Sequence, residues 1–133
     1  MKRIIILSGI PLPKKEVRSS KGRFYDPRAL HKNALRYEIM CQSIGLKILT
    51  GPIRLSIIFF MPIGSSLSKI KRQELIDQPH ISRPDKDNLE KLILDCLKGI
   101  VFEDDSLVWY SSSKKIYSLE PRTEIVIWES NDK

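Results

Sequence analysis

The sequence reads as α/β of the α+β kind: one small domain in which helices pack on a mixed sheet. Three observations predict it. Apolar, β-branched runs at 3–10, 53–61 and 123–128 are bounded by proline and glycine, as strands are. Between them, other segments carry apolar residues at helical spacing. Within 133 residues there is no repeat, low-complexity tract or linker, so one core is expected over residues 1–133.

The elements follow in order. Residues 3–10 predict a buried strand. Residues 11–24 hold two prolines, a glycine and many bases but few apolar anchors, which predicts a mobile basic loop. Asp26-Pro27 predicts a helix start, and Leu30, Ala34, Tyr37, Cys41 and Ile44 its packed face, with Gly45 near its end. Gly51-Pro52 is a turn before the strand 53–61, which Pro62 and Gly64 stop. Residues 65–77 have helix-forming composition, and 78–84 read as loop. Leu89, Leu92, Ile93, Cys96 and Leu97 mark a helix at about 87–98 that Gly99 ends. Short strands are expected at 107–110 and 114–117, then Glu120-Pro121 as a turn and the strand 123–128.

Composition narrows the function classes. Apolar residues make up 41 % and charged residues 29 %, an ordinary globular balance. The longest apolar runs, 4–7 and 57–61, are too short to span a bilayer. Lys2 and Arg3 before an apolar run mimic a signal peptide, but Pro11, Pro13 and Lys14-Lys15 end it too early, so a cytosolic, cytoplasmic protein is expected. Cys41 and Cys96 lack metal-ligand spacing and read as buried small hydrophobes. His31 and His80 have no catalytic partner at motif spacing and read as surface residues. Trp109, Tyr110 and Trp128 read as sheet and core aromatics.

The net charge is +7, and it is concentrated: residues 1–50 carry 11 Lys or Arg against 3 Asp or Glu, the rest 12 against 13. A concentrated excess fits a polyanion partner. Lys14, Lys15, Arg18, Lys21 and Arg23 in the 11–24 loop are the expected DNA-binding cations. Phe24 and Tyr25 could stack on an unpaired base there, although packing at the helix entry is the expected role.

Against this basic background stands a focused group of acids. Asp85 and Asp87 lie in Arg83-Pro84-Asp85-Lys86-Asp87-Asn88-Leu89, and Asp105 closes Val101-Phe102-Glu103-Asp104-Asp105. Clustered carboxylates repel, so a fold that gathers them usually holds a cation. Acid in one place and base elsewhere is the pattern of a Mg²⁺-dependent enzyme acting on nucleic acid. The bland alternative is that Asp87 and Glu90 form a capping box and 103–105 a solvated turn. Asp87, Lys91 and Asp95 fall at i, i+4 and i+8, which sets a lysine beside the acids, either as an ion pair or as a partner for bound substrate.

The run Arg83-Pro84-Asp85-x-Asp87-Asn88-Leu89-x-Lys91-x-x-x-Asp95-x-Leu97-x-Gly99, then Asp104-Asp105-x-x-Val108, closely resembles the RusA family of Holliday-junction resolvases. The amino-terminal strand, proline-containing basic loop and helix are similar in kind. The resemblance implies a RusA-like fold and a homodimeric endonuclease that makes paired cuts in four-way junction DNA with Mg²⁺ or Mn²⁺. It places the metal-binding acids on Asp85, Asp87 and Asp105 and the active-site lysine on Lys91; Asp95 and Asp104 match further acidic positions. Two protomers suit two symmetry-related cuts. The competing readings are a non-catalytic junction- or duplex-binding module and an Asp-x-Asp nucleotide-sugar transferase. The chain is short for the latter, and its basic loop would lack a purpose.

Overall fold

The computed structural model describes residues 2–130; the ends of the expected domain, residue 1 and residues 131–133, lie outside the described residues. It contains β1 (Lys2–Ser8), β2 (Arg18–Ser20), β3 (Arg23–Tyr25), α1 (Ala29–Gln42), β4 (Ile53–Pro62), α2 (Lys69–Leu75), α3 (Lys86–Leu97), β5 (Val108–Ser118) and β6 (Arg122–Glu129), with a 3-10 turn at Asp105–Leu107 before β5. The sheet is mixed, in the order β1-β6-β4-β5. Only β4 and β5 run parallel. A parallel pair needs a crossover, and α2, the following loop and α3 supply it. The expected α+β single domain is the observed one.

Strand alternation builds the core. Ile53, Leu55, Ile57 and Phe59 of β4, Ile5 and Leu7 of β1, and Ile125 and Ile127 of β6 are all at most 2 % exposed on one face of the sheet. Leu89, Leu92, Ile93, Cys96 and Leu97 of α3 cover them, with Leu35 and Ile39 of α1 and the fully buried Val101 and Phe102. Each such side chain contributes about 1.5–3 kcal/mol by leaving water. The α3 face is the one its periodicity predicts, and Gly99, at φ +81°, ends the helix as expected.

For α1 the expected face is the wrong one. Leu30, Tyr37 and Ile44 are 87, 68 and 81 % exposed, and Cys41 is exposed too. Leu35 and Ile39, at i and i+4, are buried instead. Polar bonds orient this weakly amphipathic helix. Gln42 exchanges hydrogen bonds with the Ile6 backbone in both directions (3.0 and 2.8 Å), and Glu38 accepts from the Ser8 N–H at 3.3 Å. These side chains occupy the free edge of β1, which would otherwise invite another strand. On the other side the Arg36 guanidinium donates to the carbonyls of Asp95, Cys96 and Lys98 at 2.9–3.1 Å, closing the carboxyl end of α3. Arg36→Met is expected to cost about 1.5–3 kcal/mol, because orphaned carbonyls at a helix end lose a charged donor. Urea unfolding measures it, and an unchanged midpoint would show that water replaces the donor at no cost.

Other differences are local. The helix expected from Pro27 begins at Ala29, because Asp26 forms a turn in which its carboxylate accepts from the Arg28 N–H at 2.8 Å. The helix expected over 65–77 is the shorter α2, whose Ser68 cap accepts from the Lys71 N–H. The two strands expected at 107–110 and 114–117 are one strand, β5, since Ser111–Ser113 pair with β4 despite their low strand propensity. Trp109 and Tyr110 are exposed rather than core residues, and Trp128 lies under the Arg54 guanidinium, 4.5 Å from its ring centre.

Candidate active site

The expected mobile loop contains a hairpin. β2 and β3 pair antiparallel from Arg18↔Tyr25 to Ser20↔Arg23, joined by Lys21 and Gly22 at φ +51° and +76°. Two consecutive positive φ values make the tight turn whose twist matches paired strands. Every residue of both strands is exposed. Arg18, Lys21 and Arg23 therefore stand on a solvated arm, with Lys15 exposed at its base. Phe24 is 82 % exposed, so the expected packing at the helix entry does not occur.

Lys14 is placed differently. Its N–H donates to the Asn88 carbonyl at 3.0 Å, and its ammonium pairs with Asp95 at 3.1 Å. Lys32 joins the same network, reaching Asp95 at 3.5 Å and Asp26 at 2.5 Å. Asp26 holds the Lys32 ammonium above its usual pKa and is itself lowered, first by the Lys32 hydrogen bond. The network ties both ends of the basic arm to α3.

Asp85 and Asp87 stand at the start of α3. Asp85 occupies the cap position, yet its carboxylate makes no capping bond. The Asp87–Glu90 capping box of the bland alternative is absent, because the helix starts at Lys86 and puts Asp87 inside the first turn. Among the described residues the Asp87 carboxylate accepts only from the neighbouring Asn88 N–H, at 3.0 Å, and Glu90 is 3.5 Å from the Ser111 hydroxyl. No ion pair joins Asp87 to Lys91 among the described residues, and Lys91 is exposed. The entry to α3 is positioned by Lys115, whose ammonium donates to the Ser82 and Pro84 carbonyls at 2.6 and 2.7 Å. Sequence reasoning missed this lysine, since its role depends on β5 lying beside a loop thirty residues earlier.

At the other end of α3 the acids divide. Asp104 caps the 3-10 turn by accepting from the Ser106 N–H at 3.0 Å and pairs with Lys98 at 3.1 Å. Ser106, then Lys98, hold its carboxyl down at about 2. Asp105 is the opposite case. Its Oδ1 is buried without a hydrogen-bond partner, and burial, aided by Asp95 and Asp104, pushes its pKa up. A buried carboxylate oxygen with no partner is costly and calls for a cation or a proton. Among the described residues, no three Asp, Glu, His or Cys converge into a ready cage for a metal. Asp85 and Asp87 share one end of α3, and Asp105 neighbours Asp95.

His80 is not at the surface: it is 9 % exposed, and its Nδ1 is buried without a partner. His31 is half-buried, with Nε2 likewise unpartnered. Burial pushes the pKa of each imidazole down. Cys96 is buried as expected, its thiol raised to about 11 by desolvation.

A small α+β fold that sets spare acids at both ends of one helix, with a cationic arm beside them, has the makings of an enzyme acting on DNA. Comparison with known proteins specifies which. The family model for endodeoxyribonuclease RusA matches residues 8–128. An uncharacterized protein of Bacillus subtilis (strain 168), YqaN, is 31 % identical over 123 residues, covering 88 % of this chain and 86 % of its own. A protein of Lactococcus phage r1t named crossover junction endodeoxyribonuclease rusA is 30 % identical over 124 residues, covering 86 % of each chain. The chain belongs to the RusA endodeoxyribonuclease family.

Proposed function

We propose that this protein resolves Holliday junctions by paired phosphodiester cleavage in DNA recombination and repair. It acts as a cytoplasmic homodimer that depends on Mg²⁺, with Mn²⁺ able to substitute, and the whole chain forms one catalytic domain. The observation that carries the reading is that Asp85, Asp87, Lys91 and Asp105 are left without structural employment in a member of this family, with one oxygen of Asp105 buried and unpaired. The donor set suits a hard cation: carboxylate oxygens are what Mg²⁺ and Mn²⁺ take. Mg²⁺ keeps several waters and shares phosphate oxygens, so a site with few protein ligands per ion is in order. Such an ion supplies Lewis-acid stabilisation of the phosphate and lowers the pKa of an attacking water.

The chain's own residues do the rest. Asp85 and Asp87 at the start of α3, and Asp105 beyond its end, would hold the cation or cations, and Lys115 fixes the carbonyls of the loop that leads into Asp85. Lys91 follows Asp87 by one turn and offers its ammonium to the charge that builds on the phosphate. Arg18, Lys21 and Arg23 on the arm grip the backbone of a junction arm, with Lys15 at the base, and Lys14 reaches phosphate by exchanging it for Asp95. The homodimer answers the need for two symmetric cuts, and the exposed Leu30 and Tyr37 of α1, with Ile44 just after it, supply apolar surface for such contacts.

Lys91→Ala is expected to slow single-turnover cleavage about a hundredfold with little change in the Mg²⁺ midpoint. A defect rescued fully by extra Mg²⁺ would make the lysine a positioner of metal ligands instead. The function itself is tested with a synthetic four-way junction incubated with Mg²⁺ or with chelator. Paired nicks only with the ion are expected. Binding without cutting under every divalent ion would leave a non-catalytic junction-binding module.

A further inference from the structure

The register of β5 slips near its start. Ile53 pairs with Val108 and Arg54 with Tyr110, so Trp109 is an extra residue with no partner in β4. Such a bulge is uncommon between parallel strands, and bulges beside active sites re-aim side chains. Neighbouring residues of a strand ordinarily face opposite ways. Here the Trp109 and Tyr110 rings come together, centres 5.9 Å apart and tilted by 52°. The two residues are 62 and 51 % exposed, and the small, exposed Ser111 and Ser112 that follow set no bulk beside them. Among the described residues the loop at 77–80 bonds the outer edge of β5 from Lys115 to Tyr117 and leaves the stretch at Trp109 uncovered. The aromatic pair lies between the two groups of acids. β5 runs back along α3: the Lys86 ammonium donates to the Ser113 carbonyl at 3.3 Å, and the Ser111 hydroxyl is 3.5 Å from the Glu90 carboxylate. Ser113 therefore marks the Asp85 and Asp87 end, and Asp105 heads the turn that leads into β5 at the other. Trp109 stands on the strand between them.

We propose that Trp109, backed by Tyr110, is a stacking platform for an unpaired base of the strand being cut. The inference rests on the function proposed above and adds a DNA-binding residue to it. A strand that reaches from Asp85 and Asp87 toward Asp105 crosses the aromatic pair. The exposed Lys86 and Lys91 of α3 supply cations for its phosphates. Stacking asks for an accessible ring face and no hydrogen-bonding edge, so the platform accepts any base. Where four arms meet, stacking is interrupted, and a base there is drawn out at lower cost. A contact between two copies of the chain fits the pair less well. Two aromatic side chains bury about 300–500 Å² together. A stable interface takes roughly 800 Å² from each partner, and the flanking serines add no apolar area.

The test uses the full-length protein with chelator present to prevent cleavage. The chain holds two tryptophans, so Trp128→Phe leaves Trp109 as the reporter. Its fluorescence is expected to be quenched by a four-way junction or a single strand and to stay unchanged with a blunt duplex. In the otherwise native protein, Trp109→Leu, which keeps apolar bulk and loses the ring, is expected to weaken junction binding about tenfold and leave duplex binding unchanged. Trp109→Phe, which keeps a ring, is expected to recover most of that loss. Melting curves of the variants establish that they fold. Three results overturn the platform and leave the resolvase reading intact: a junction bound without quenching, equal quenching by junction and duplex, or wild-type junction affinity in a folded Trp109→Leu protein. Trp109 fluorescence that follows protein concentration without DNA, and does not respond to the junction, overturns it too and assigns the pair to a contact between copies. A wild-type protein that neither binds nor, with Mg²⁺, cuts a junction overturns both readings.

Discussion

Asp87→Asn, Asp85→Asn and Asp105→Asn are each expected to lower junction cleavage on the order of a thousandfold while leaving junction binding intact. Asparagine preserves shape and removes the charge proposed to hold a cation. The three differ in what they do to the fold, and that difference separates function from architecture. The carboxylates of Asp85 and Asp87 make no bond to α3 beyond the contact with the adjacent Asn88 N–H, so their replacement by asparagine should leave the melting temperature unchanged. Asp105 has its pKa raised in the folded protein, first by burial. A carboxyl raised on folding opposes folding above its unfolded pKa, so at neutral pH its charge is a liability and Asp105→Asn should melt at the same temperature or higher. A residue that weakens the fold and is needed for the chemistry is what a functional site leaves behind. Single-turnover cleavage, gel shifts and thermal melts decide the matter. Three variants that all cut at the wild-type rate would remove these acids from the active site. A melting temperature that collapses in Asp105→Asn would make that residue architectural.

Replacing Arg18, Lys21 and Arg23 with glutamine is expected to flatten the dependence of log K on log salt by about 3, if each neutralises one phosphate of a duplex arm. The rate at saturating DNA should change far less, because the acids lie on α3 and the following turn. The melting temperature should not move, since the hairpin that carries these residues is exposed throughout. Adding Lys15→Gln and Lys14→Gln extends the series. Lys14→Gln should also remove one of the two ion pairs of Asp95, leaving Lys32 as its partner, so it alone is expected to loosen the tie between the arm and α3 as well as lower affinity. Gel-shift titrations at several salt concentrations report the slope. An unchanged slope in the triple variant would put the DNA on another face, such as the one that carries Lys69, Lys71 and Arg72 of α2.

The helix that carries the candidate site was legible in the sequence because its apolar face is unambiguous. Leu89, Leu92, Ile93, Cys96 and Leu97 recur with one period and all five are buried. The β4 and β6 strands were legible for the same reason, since alternation on a half-buried sheet leaves a pattern that local chemistry imposes. The acid motif needed no fold at all, because residue types at fixed spacing carry it. What only the tertiary structure decided is whatever depends on a partner far along the chain. The rotation of α1 is set by Gln42 and Glu38 meeting the edge of β1 and by Arg36 meeting the end of α3, so the apolar stripe suggested by spacing lost to Leu35 and Ile39. His80 became buried because the loop bearing it pairs with β5. The basic arm became a hairpin because Lys21 adopts positive φ ahead of Gly22, a turn that the Lys-Gly pair announces only weakly. The assignment of Asp104 and Asp105 to opposite roles, one satisfied by Ser106 and Lys98 and one left unpaired, is likewise invisible in two identical neighbouring letters. Periodicity fixes which residues are apolar on an element; only long-range polar bonds fix which way that element turns.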